Sequence, residues 1–82
     1  MLPFDPDAVR IEPSKHFRNT RMRKWGWSVE DLREALRDPS RVRRVGKRKV
    51  EGWVRKDGTK KLVIGFESGE GFIVVITGTE GR

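Results

Sequence analysis

SKHFRNTRMRKWGWSVEDLREALRDP, running from Ser14 to Pro39, carries the start and stop signals of two helices, and its reading decides the fold. Ser14 is placed to cap a first helix that ends near Trp25. Gly26 follows as the residue able to turn left-handed past a helix C-terminus at little cost. Ser28 and Asp31 have the spacing of a capping box for a second helix, with Trp27 and Leu32 spaced as a hydrophobic staple across its first turn. Asp38-Pro39 ends that helix, because the residue before proline avoids helical geometry.

Read at about 100° per residue, the first helix aligns Phe17, Arg21 and Trp25, with Met22 beside them as a buried stripe. His16, Asn19, Thr20 and Arg23 fall on the other side. The second helix buries Val29, Leu32, Ala35 and Leu36. Its outer face pairs Glu30 with Arg33 and Glu34 with Arg37, solvated contacts worth about 0.2 to 0.5 kcal/mol each. Glu30 and Asp31 are explained by capping and the helix dipole, so they do not call for a metal or a paired-carboxylate mechanism.

Beyond Pro39 the pattern changes to strands. Val42 and Val45 flank Arg43 and Arg44, and KVEGWV, KLVIGF and FIVVIT follow as segments rich in branched and aromatic residues. Turns fall at Lys56-Asp57-Gly58 and between Glu67 and Gly71. A two-residue turn in the first hairpin would put Glu51 among buried residues. A type I turn with Gly58 in a bulge instead pairs Val54 with Lys60, Gly52 with Leu62 and Val50 with Ile64. The second register gives an inner face of Val50, Leu62, Ile64 and Phe66 and an opposite face of Lys49, Glu51, Trp53 and Arg55. FIVVIT is apolar on both sides and is expected to be central or covered. Residues 1–13 hold Pro3, Pro6 and Pro13 and read as an extended arm, with Phe4, Val9 and Ile11 available to pack on the domain or add an edge strand. The expected architecture is an α+β domain over residues 14–82, with two N-terminal helices on one face of a three- to four-stranded antiparallel sheet.

With 82 residues, one core is expected and a deep enclosed cavity is not. The absence of cysteine excludes disulfides and thiol nucleophiles, and a single histidine argues against structural zinc. Neither a signal peptide nor a membrane-spanning run is read, so a cytoplasmic protein with no membrane partner and no cofactor is expected. Abundant arginine with no glutamine resembles thermophile composition.

The net charge is +7, and 17 of the 19 Lys and Arg residues lie between Lys15 and Lys61. Such a field favours a polyanion, with nucleic-acid phosphate the first candidate and an acidic protein the second. Solubility is the plain alternative, although it asks for interspersed signs and not a cluster. Arg23, Lys24, Arg43, Arg44, Lys47, Lys49 and Arg55 are the candidate phosphate contacts. Trp53 is the candidate stacking platform, unless the N-terminal arm or a dimer partner covers it. Trp25 and Trp27 read as packing residues.

Residues 15–39 resemble the opening of a small bacterial domain-of-unknown-function family distantly similar to RelE/BrnT-type toxins. The resemblance rests on a first helix of histidine, four residues, Arg-Met, then glycine and a hydrophobic residue, here His16, Arg21, Met22, Gly26 and Trp27. SVEDLREALRDP is similar to the family's second helix. The position before the glycine, often arginine in that family, is Trp25, so any ligand contact made there by the relatives is lost or altered. The resemblance implies a RelE-toxin-like fold, an RNA or ribosome partner and an acidic antitoxin. Metal-free RNA cleavage needs a base, an acid and cations for the phosphorane charge. His16 and Arg21 are the catalytic candidates, although a lone histidine among cations reads more readily as an ordinary surface residue. The chain has no tyrosine and no second histidine, which removes two familiar ribonuclease mechanisms. The leading expectation is a small RNA-binding domain or metal-independent endoribonuclease; the alternative is a non-catalytic module that docks an acidic antitoxin-like partner, with a homodimer as a third possibility.

Overall fold

The computed structural model describes residues 1–67 and 69–81. The elements run in order as β1 (Arg10–Pro13), a first helical segment in three pieces (Lys15–Phe17, Arg18–Met22 and Arg23–Trp25), a second helix (Val29–Leu36), then β2 (Arg41–Gly46), β3 (Lys49–Arg55), β4 (Thr59–Phe66) and β5 (Phe72–Glu80).

The expected layout of two N-terminal helices on a three- to four-stranded antiparallel sheet is corrected. A strand precedes the helices, and the sheet has five strands in the order β1-β5-β4-β3-β2, mixed because β1 runs parallel to β5. Strands dominate. The second helix has only eight residues, and the middle piece of the first segment is a π turn. The cause is a long-range pairing that no local pattern shows. Ile11 and Pro13 supply two inward side chains, while Arg10 and Ser14 donate their N–H groups to Gly71 and Val75 at 2.9 Å. Proline is tolerated there because β1 is an edge strand.

The capping grammar holds at atomic level. Ser14 Oγ accepts from the Phe17 N–H at 3.1 Å and donates to the Ile76 carbonyl at 2.7 Å, so one hydroxyl caps the helix and ties it to β5. Gly26 has φ of 71°, and the Trp27 N–H reaches the Met22 carbonyl, which closes the helix end. Ser28 and Asp31 make the reciprocal capping box. The buried stripe differs from the α-helical reading. The π turn widens the spacing so that Phe17 and Met22, five residues apart, are buried while Arg21 is displaced to a half-exposed position. Thr20 Oγ1 donates to the His16 carbonyl at 2.7 Å within this turn, a bond that loosens the backbone ladder.

The β3–β4 register pairs Val54 with Lys60, Gly52 with Leu62 and Val50 with Ile64, as the burial argument requires. The turn is not type I, since Asp57 takes φ of 55° as well as Gly58 at 93°. Val50, Val54, Leu62, Ile64, Ile73 and Val75 form the inner face, closed by Phe17, Leu32 and Leu36. Each such side chain is worth about 1.5 to 3 kcal/mol on burial, so packing outweighs the surface ion pairs. Of the expected pairs, Glu30 and Arg33 do meet, at 3.7 Å, whereas Glu34 turns to Lys56 at 3.4 Å. Arg33 donates to the Val9 carbonyl at 2.9 Å and Arg37 pairs with Asp7 at 2.9 Å, strapping the N-terminal arm to the second helix. Phe4 packs toward Phe66 with ring centroids 6.3 Å apart.

Lys60 is the one buried cation among the described residues, 3% exposed, at the end of the core. Its ammonium lies 5.2 Å from the Trp25 ring centroid and 5.7 Å from that of Trp27. It donates to the carbonyls of Lys56 and Asp57, and Glu80 Oε2 is 3.9 Å away. Glu80 also accepts from the Trp25 indole at 2.8 Å. The two tryptophans are therefore packing residues that wall a structural ammonium.

Candidate nucleic-acid interface

Alternation along β3 buries Val50, Gly52 and Val54 and leaves Lys49, Glu51, Trp53 and Arg55 on the face away from the helices. Neighbouring strands continue that outer face in rows. One row reads Arg41, Trp53, Lys61, Thr79, and the next reads Arg43, Glu51, Val63, Thr77. From β2 to β5 each row spans about 14 Å, at about 4.8 Å per strand. The outer side chains of β3 and β4 are half-exposed or exposed, so this face is open among the described residues.

Trp53 is the centre of the first row. The Arg41 guanidinium lies 4.8 Å from its ring centroid and the Lys61 ammonium 5.9 Å. In the second row the Glu51 side chain is only 12% exposed, with Arg43 Nη2 2.9 Å from Oε1 and Lys61 Nζ 3.5 Å from Oε2. Sequence reasoning placed the aromatic and its flanking residues on this face. It missed Arg41 and Lys61 as the cations at the ring, because cross-strand neighbours follow from register and not from proximity in the chain.

Both rows end at a second feature. A groove of about 430 Å³ between the first helical segment and β5 is lined by His16, Thr20, Arg21, Lys24, Thr77, Gly78 and Thr79. The π turn brings His16 and Arg21, five residues apart, to this one groove together with Lys24. Gly78 makes the close approach possible, since a Cβ there would stand 2.8 Å from Phe17 Cε1 and 3.0 Å from Trp25 Cη2.

The remaining candidates are dispersed. Arg43 and Arg44 alternate across β2 and point to opposite faces. Arg44 is engaged with the carbonyls of Gly46 and Lys47 at 3.1 and 2.7 Å and lies over Phe66. Lys47 is exposed in the β2–β3 turn beside it, and Arg23 is exposed on the first helical segment without lining the groove. Lys49 and Arg55 sit at the two ends of β3 on the outer face. Thus His16, Arg21 and Lys24 form one cluster, and Arg43, Trp53 and Arg55 share the outer face. His16 and Arg43 stand at opposite ends of the row system.

No family model, curated protein or solved structure matches the chain at significance. Among the described residues no three acidic or histidine side chains are grouped to hold a metal ion, and no helix is long and apolar enough to cross a membrane. What the arrangement offers chemically is an aromatic plane between two cations, bordered by a half-shielded carboxylate and leading to a groove with an imidazole, a guanidinium and an ammonium.

Proposed function

We propose that the protein binds single-stranded RNA across the strands of the outer sheet face, with a base stacked on Trp53 and phosphates held by Arg41, Lys61, Arg43 and Arg55. The observation that carries this reading is the half-exposed Trp53 ring on the outer face, with Arg41 and Lys61 both within 6 Å of its centroid. An indole offers a stacking surface to any base, and guanidinium and ammonium groups beside it meet the phosphates that flank that base. A duplex would hide its bases from the ring. The clustered charge and the helix signature of His16, Arg21 and Met22 support the same reading, and a cytoplasmic location goes with it.

Cleavage is the second reading, favoured by the His16 groove lying at the end of both rows. There His16 would exchange the 2′-hydroxyl or 5′-oxygen proton, and Arg21 and Lys24 would meet the phosphorane charge.

Purified protein incubated with a metal-free mixed RNA pool tests both, scored for retention and for cleavage. Trp53→Ala is expected to weaken retention by roughly 5- to 150-fold, the value of one stacked base, while leaving the fold intact. Cleavage lost in His16→Ala with retention unchanged supports the second reading. Tight one-to-one binding of an acidic peptide with no RNA affinity overturns both in favour of a protein-docking module.

A further inference from the structure

We infer that Glu51 makes this surface selective for guanine, an inference that rests on the RNA reading above. Glu51 is an acid in the middle of a cationic face, next to the proposed stacking residue. Phosphate binding alone gives no reason for it. Glu51 and Trp53 are two residues apart on one strand and share a face, about 7 Å apart along it. A base stacked on the indole therefore presents its edge within reach of the carboxylate.

The carboxylate has acceptor capacity to spare. Its Oε1 is shielded from solvent and has no aligned hydrogen-bond donor, although Arg43 Nη2 stands 2.9 Å away. Oε2 has only Lys61 Nζ, at 3.5 Å. An oxygen paired by charge but with no N–H aimed along its lone pairs gains from a ligand N–H that is aligned with it. The Arg43 side chain is 57% exposed and can turn from Oε1 toward the edge of the entering base.

Guanine matches this arrangement on its Watson–Crick edge. N1–H and the N2 amino group form a two-donor fork that a carboxylate accepts as it accepts an arginine. O6, beside the fork, is an acceptor for Lys61 or Arg43. Adenine and cytosine offer one amino group next to a ring acceptor, and uracil sets two carbonyl oxygens against the carboxylate. The expected order is guanine first and uracil last.

The test is fluorescence anisotropy with short uridine-rich oligonucleotides carrying one central guanosine, inosine, adenosine or uridine. The guanosine oligonucleotide is expected to bind about tenfold more tightly than the all-uridine one, the usual discrimination of a two-bond base contact. Inosine lacks the N2 amino group and is expected to lose several-fold on the unaltered protein, a comparison that requires no variant to fold. Glu51→Gln removes a negative charge that pairs Arg43 and Lys61, so it is expected to raise affinity for every oligonucleotide while erasing the guanosine–inosine gap and shrinking the guanosine preference over all-uridine RNA. Equal affinity for all four oligonucleotides, or a guanosine preference that Glu51→Gln leaves undiminished, overturns the inference. If that happens while Trp53→Ala still weakens binding, the RNA reading stands without base selectivity; if no oligonucleotide binds, both fall.

Discussion

Ser14 serves two elements with one hydroxyl, and its replacement separates them. Ser14→Ala removes the cap on the Phe17 N–H and the tie to the Ile76 carbonyl. A lost cap costs about 1 kcal/mol and a lost side-chain bond about as much again, so a loss of about 2 kcal/mol is expected in urea unfolding. Ser14→Thr should retain most of it. Gly78 is the other residue whose role is steric. A Cβ there would stand 2.8 Å from Phe17 Cε1 and 3.1 Å from Leu62 Cδ2, inside normal contact. Gly78→Ala is expected to cost about 1 to 3 kcal/mol by overpacking, and pairing it with Phe17→Leu should recover part of that loss. Ser14 was legible in the sequence as a cap. Gly78 was not, because what its missing side chain makes room for lies 61 residues away in the first helical segment.

The second helix and the hairpin are held at their ends by carboxylates whose charged forms are favoured. Asp31 is held below its ordinary 3.8, first by the Ser28 backbone N–H, then by the Ser28 hydroxyl and Lys56. Glu80 is held below its ordinary 4.5, chiefly by the Trp25 indole and then by Lys60. A carboxyl whose folded pKa is depressed contributes stability above its unfolded pKa and loses it as pH falls through the folded value. Stability is therefore expected to be flat near neutrality and to fall as pH drops below about 4.5. Asp31→Asn should make that acid limb shallower in a thermal-melt series. At this scale the sequence was informative wherever a signal is local: both caps, the Gly26 stop and the β3–β4 register were readable from spacing and burial. The π turn was not, since periodicity assumes one rotation per residue throughout and therefore put Arg21 in the buried stripe.

Across the whole molecule, the outer face and the helix side make different electrostatic predictions. If RNA lies on the outer face, Arg55→Ala should reduce the salt slope of binding by about 0.7, the value for one phosphate contact in a single strand. Arg23→Ala and Arg44→Ala should leave both slope and affinity unchanged, because Arg23 is off the face and Arg44 is engaged with the turn carbonyls and Phe66 on the other side. The sequence by itself determined the charge cluster, the absence of thiol chemistry, the helix caps and the face on which Trp53 lies, since each depends on composition or on contacts a few residues apart. Only the tertiary structure decided that β1 joins the sheet parallel to β5, that Arg41 and Lys61 rather than Lys49 and Arg55 flank the indole, and that Arg43 and Arg44 part to opposite faces. It also gathered His16, Arg21 and Lys24 at one groove and buried Lys60 between two tryptophans. Those facts depend on strand order and on packing between distant segments, and free energy of that kind is set by burial in the assembled core, which local propensity does not encode.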